Sequence, residues 1–96
     1  MNGDSYPSFT LLLVDDEPAW LRSLTLTLES SAGITNIITC QDSSEVLPLL
    51  DKLPVGLVLL DLTMPKLSGE ALLSLIGERH PDIACIIVSS IFIHKI

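Results

Sequence analysis

Ninety-six residues allow one domain, which on folding buries roughly two-thirds of the surface of the unfolded chain. The apolar share of 48%, carried by Leu, Ile and Val with only four aromatic residues, suits an aliphatic α/β core and argues against disorder. A net charge of −7 with five scattered Lys and Arg disfavours direct nucleic-acid binding, which needs cations on phosphates.

Met1 to Ser8 is short and polar, without the basic start and apolar middle of a secretory signal, and no apolar stretch is long enough to span a bilayer. The chain therefore reads as cytoplasmic, with a flexible N-terminus over residues 1–8 and a folded domain over 9–96. A first strand runs from about Phe9 to Val14 and stops at the acid pair Asp15 and Asp16. Glu17-Pro18 opens a helix, since proline costs little in a first turn. Leu21, Leu24 and Leu28 give it one apolar face, and Gly33 ends it. Trp20 and these leucines read as packing residues.

Asn36 to Cys40 is a short β-branched strand. Asp42-Ser43-Ser44-Glu45 has the form of an N-cap with an acid three residues on. The helix that follows would bury Val46, Leu47, Leu49, Leu50 and Leu53, with Pro48 expected to shorten or kink it. A third strand, Val55 to Leu60, ends at Asp61 and hands over to Leu62-Thr63-Met64-Pro65. A third helix covers about Ser68 to Glu78, with Leu72, Leu73 and Ile76 inward. His80-Pro81-Asp82 turns the chain into a fourth strand, Ile83 to Val88, which ends at Ser89. Cys40 and Cys85 lie inside strand runs without C-x-x-C spacing and read as buried thiols.

Alternating strands and helices with right-handed crossovers specify a doubly wound, flavodoxin-like parallel sheet of order 2-1-3-4. Ligands of such sheets bind at the carboxyl ends of the strands, at the switch point between strands one and three. Asp15, Asp16 and Asp61 all fall there. Carboxylates crowded together repel, and a hard dication such as Mg²⁺ relieves that by taking oxygen ligands from them. A remaining carboxylate is then placed to attack phosphorus, a known form of covalent catalysis by aspartate.

Val14-Asp15-Asp16-Glu17-Pro18, Leu59-Leu60-Asp61-Leu62-Thr63-Met64-Pro65, Ser68-Gly69 and Ile86-Ile87-Val88-Ser89 together resemble the receiver domain of two-component response regulators. The resemblance covers about Phe9 to Ser90. It implies that Asp61 accepts a phosphoryl group from a histidine kinase or phosphotransfer protein. It implies Mg²⁺ on Asp16 directly, on Asp15 through water, on Asp61 and on the backbone carbonyl of Thr63. It makes Ser89 the switch hydroxyl, places Leu62, Ser89 and Ser90 around the phosphoryl oxygens, and gives Met64-Pro65 and Gly69 the shaping of the loop beside Asp61.

The chain departs from that family after strand four. Receiver domains continue through a fourth helix, a fifth strand carrying a lysine, and a fifth helix, whereas this chain reaches Ile96 six residues after Ser90. Lys95 is too near Ser89 to be that lysine, so no lysine partner is assigned. Ile91-Phe92-Ile93 has the look of a strand. With the fifth strand and last helices missing, strand four is expected to present an open apolar edge and to recruit a second copy into a homodimer or higher oligomer.

Other readings stay open at this point. Asp15 or Asp16 has a purely structural alternative as a cap of the first helix, and Ser89 one as a turn serine. A dehalogenase-type phosphohydrolase would need a second acid two residues after the nucleophile, where Thr63 stands. A nucleotide or flavin module would need a glycine-rich first turn in place of Asp15-Asp16-Glu17. A phosphorylation-silent, dimerising module remains as the main alternative to the switch.

Overall fold

A computed structural model describes residues 6–61, 69–88 and 93–95. In chain order they form β1 (Thr10–Val14), α1 (Pro18–Ala32), β2 (Ile37–Cys40), a 3-10 turn (Ser43–Glu45), α2 (Val46–Lys52), β3 (Val55–Asp61), α3 (Gly69–Arg79), β4 (Ala84–Val88) and β5 (Ile93–Lys95). The sheet order is β2-β1-β3-β4-β5. The first four strands pair in parallel, as the alternating sequence pattern requires.

Period-two alternation assigns the faces. Leu12 and Val14 of β1, Val58 and Leu60 of β3 and Cys85 of β4 meet Val46 and Leu50 of α2 and Leu72 and Ile76 of α3 in one buried cluster. Leu13 of β1 and Leu59 of β3 point the other way and meet Leu21 and Leu24 of α1. Leu21 is the buried residue of α1, while Leu24 and Leu28 are half-buried. Cys40 and Cys85 are free, buried thiols, both pushed above the ordinary cysteine range by loss of water.

Local chemistry fixes the helix ends. Pro18 is the first residue of α1, and Gly33 closes it at φ 66°, with its N–H on the Glu29 carbonyl. The Asp42 carboxylate accepts the Ser44 N–H at 3.0 Å and the Ser44 hydroxyl at 2.8 Å, which starts the 3-10 turn. Pro48 then falls in the first turn of α2, where its missing N–H leaves no helical bond unmade. Of the two expected outcomes, a shortened or a kinked helix, the first is found, with a 3-10 start and a helix of seven residues. At the far end, one carboxylate ties α2 to α3: Asp51 accepts from Arg79 at 2.6 Å and contacts His80 Nε2 at 2.8 Å.

One expectation needs correction. β4 does not present an open edge, because β5 pairs with it antiparallel over Ile86↔Lys95, Ile87↔His94 and Val88↔Ile93. Those backbone groups are taken within the chain, so the open edge from which an oligomer was expected is occupied, by a three-residue antiparallel strand that is not the family's lysine-bearing fifth strand. Within the N-terminal segment, Tyr6 to Ser8 make hydrogen bonds to Thr35 and Asn36. Asn36 Nδ2 reaches the carbonyls of Pro7, Ser8 and Phe9 at 3.0, 3.3 and 2.9 Å, and the Tyr6 carbonyl accepts the N–H groups of Thr35 and Asn36. Among the described residues, no helix is long and apolar enough to cross a membrane.

Candidate functional site

Strand register builds the site. β1 and β3 run in parallel through Leu13↔Leu59 and Val14↔Leu60. One residue further come Asp15 and Asp61, so two acids emerge abreast at the carboxyl end of adjacent strands. The Asp15 N–H donates to the Cys40 carbonyl at 3.1 Å, which carries the sheet's pairing as far as the acid itself. Both side chains follow Leu13 and Leu59 on the α1 side of the sheet. There they are 9% and 8% exposed, while Asp16 lies in the open.

One oxygen from each of Asp15, Asp16 and Asp61 lies within 4.8 Å of the others. Opposite ligands of a single Mg²⁺ stand about 4.2 Å apart, and all three donors are hard carboxylate oxygens, so the residues present fit such an ion. The electrostatics agree. The Asp15 pKa is raised from 3.8 to about 6, chiefly because burial strips water from the carboxylate, with the charges of Asp61 and Asp16 adding to the rise. The Glu17 N–H, donated to Asp15 Oδ1 at 2.9 Å, opposes it.

This geometry separates the two readings of the acid pair. The residue at the N-cap of α1 is Glu17, and no side chain caps the helix. Asp15 binds the Glu17 amide, one position short of the helix, so neither Asp15 nor Asp16 is accounted for as a cap. Leu62, Thr63, Met64, Pro65, Ser89 and Ser90 lie outside the described residues. Gly69, given a share in shaping the loop beside Asp61, is the first residue of α3, within the helix expected from about Ser68. Lys95 pairs with Ile86, which in turn pairs with Leu59. Its place in the sheet is therefore two rows short of Asp61.

One residue at the site was read only as packing. Trp20 stands in the first turn of α1 and lines a crevice of about 10 Å³ together with Asp15, Asp61, Leu24 and Leu59. The usable signal was positional: a helix that starts three residues after a strand-final acid must hold its first turn beside that acid.

Comparison with known proteins places this arrangement. Over 80 residues the chain is 35% identical to the hydrogenase transcriptional regulatory protein HoxA of Cupriavidus necator, covering 83% of this chain and 16% of that protein. An uncharacterised protein from Neptuniibacter caesariensis superposes with a TM-score of 0.78 at 35% identity, over 86% of this chain and 60% of the other. A CheY-like response regulator receiver domain from Methanospirillum hungatei gives a TM-score of 0.76 at 26% identity, over 84% and 63%. The chain thus spans a small part of HoxA and about three-fifths of the solved chains. The sequence profile described as "Response regulator receiver domain" matches residues 11–92, a stretch that begins inside β1 and takes in all three clustered acids. By that match, this chain belongs to the response regulator receiver domains of two-component systems.

Proposed function

We propose that the chain is a phosphoacceptor switch in which Asp61 takes a phosphoryl group from a histidine kinase or phosphotransfer protein, with Mg²⁺ held by Asp15, Asp16 and Asp61. The observation that carries this reading is the parallel register that sets Asp15 and Asp61 abreast, with donor oxygens within 4.8 Å. An Asp61 oxygen attacks phosphorus of the phosphohistidine. The phosphorus–nitrogen bond breaks, an acyl phosphate forms on Asp61, and the imidazole leaves with the electron pair and takes a proton from solvent. A bound Mg²⁺ supplies charge neutralisation on the phosphoryl oxygens. Asp15 and Asp16 hold the negative charge that draws the cation in and keep it beside the nucleophile. Ser89, Ser90, the Leu62 amide and the Thr63 carbonyl are assigned to the phosphoryl group and the cation by the family pattern. The output is a changed protein-binding surface, as in other signalling receivers.

Lys95 favours a second reading, a phosphorylation-silent module, because its row in the sheet is that of Leu59. A missing cationic contact would slow phosphoryl transfer without removing the nucleophile. The test is incubation with Mg²⁺ and acetyl phosphate, followed by intact mass. The switch gains one phosphoryl group in a Mg²⁺-dependent manner that Asp61→Ala abolishes. No gain at any donor concentration leaves the silent module.

A further inference from the structure

Trp20 is the single tryptophan of the chain and is 42% exposed, although Leu21 beside it is 3% exposed. Core packing accounts for Leu21. It does not account for a tryptophan that is partly exposed and also lines a crevice with two carboxylates. That crevice, about 10 Å³, is at the lower limit for a single water. Apart from Asp15 and Asp61 its walls are Leu13, Val14, Leu21, Leu24, Leu59 and Trp20 itself. A water there therefore finds its side-chain partners in the two acids.

We propose that Trp20 is a positioning residue of the cation site: it closes the α1 side of the Asp15–Asp61 crevice, restricts it to one water, and so keeps the two carboxylates in the poorly hydrated surroundings that strengthen their hold on a dication. The inference rests on the reading of the cluster as a cation site. Attraction between opposite charges grows as the effective dielectric falls, and bulk water entering beside the acids weakens it. Truncating the indole opens the crevice from that side. A phenyl ring keeps a flat apolar wall in the same place.

The test uses the 96-residue chain with Mn²⁺ as the probe, at about pH 8, where Asp15 is ionised. Electron paramagnetic resonance of free Mn²⁺ gives affinity, and water-proton relaxation reports the exchangeable water on the bound ion. Trp20→Ala should bind Mn²⁺ roughly tenfold more weakly and show higher relaxivity per bound ion. Trp20→Phe should match the wild type in both within about twofold. A purely structural role would lower the thermal stability of Trp20→Ala and leave the relaxivity where it was. If circular dichroism shows that Trp20→Ala does not fold, Trp20→Leu, narrower than indole but apolar, carries the same comparison with a smaller effect. Wild-type binding of Mn²⁺ with unchanged affinity and relaxivity in the folded variant overturns the role of Trp20 alone. Failure of the wild type to bind Mn²⁺ overturns the cation reading, and the role of Trp20 with it.

Discussion

Replacing Asp15 by asparagine should stabilise the metal-free chain by an amount that grows with pH. Asparagine has nearly the same size and retains an Oδ1 to accept the Glu17 N–H now bound at 2.9 Å. What it removes is a negative charge that is 9% exposed and lies beside Asp61 and Asp16. The Asp15 pKa in the fold is about 6, against an ordinary 3.8. At about 1.4 kcal/mol per pH unit this difference amounts to at most about 3 kcal/mol. Screening by solvent at the mouth of the pocket brings the expectation to about 1–2 kcal/mol. Since the folded pKa lies above the unfolded one, the contribution of Asp15 is most favourable below about pH 4 and is lost as pH rises through about 6. The asparagine variant has no such loss. Urea unfolding in EDTA, followed by Trp20 fluorescence, should therefore show the two proteins converging near pH 4 and the variant ahead by about 1–2 kcal/mol near pH 8. Adding Mg²⁺ at the higher pH should raise the wild type by RT ln(1 + [Mg²⁺]/Kd) and the variant by less. A stability gap that is the same at both pH values, or a variant less stable near pH 8, would refute the electrostatic account.

Three further outcomes are expected elsewhere. The Ser43 hydroxyl is buried, with no hydrogen-bond partner among the described residues, so Ser43→Ala should raise unfolding free energy by about 1 kcal/mol in chemical denaturation. Asn36→Ala removes the donors to Pro7, Ser8 and Phe9 and the acceptor for the Thr10 hydroxyl at 3.2 Å; a loss of about 2 kcal/mol and faster proteolysis near Phe9 should follow. Asp51→Ala should cost under about 1 kcal/mol, and less in high salt, because Asp51 and Arg79 are 43% and 49% exposed despite their 2.6 Å contact. A salt-independent loss of several kcal/mol would show that the tie between α2 and α3 is stronger than its exposure suggests.

The parallel part of the fold was legible because its signals are local and periodic. Apolar runs such as Val55 to Leu60 end in polar breaks, and the order of strands and helices leaves few topologies. The meeting of Asp15 with Asp61 was legible for the same reason, since both are strand-final and the doubly wound order makes their strands neighbours. The direction of β5 was not. Ile91-Phe92-Ile93 signals a strand, but period two reports faces and says nothing about which neighbour a strand takes or which way it runs. The strand falls at Ile93–Lys95 and turns back on β4. The role of Asn36 was hidden because an asparagine at the start of a strand has the same pattern whether it faces water or collects three carbonyls. Pro48 was expected to shorten or kink its helix, and the helix is short, with seven residues after the 3-10 start at Ser43–Glu45. Trp20 matched a packing residue in every sequence feature, and only the closeness of the first turn of α1 to Asp15 gives it a second role.

The central claim is that Asp61, and neither of its acidic neighbours, carries the phosphoryl group. Borohydride reduction converts an aspartyl phosphate to homoserine, so treatment of the chain after incubation with Mg²⁺ and acetyl phosphate marks the modified position permanently. Peptide mass spectrometry should then find homoserine at position 61, with Asp15 and Asp16 unchanged, and no conversion in EDTA. Homoserine at position 15 or 16, or conversion that persists without a divalent cation, would contradict the account.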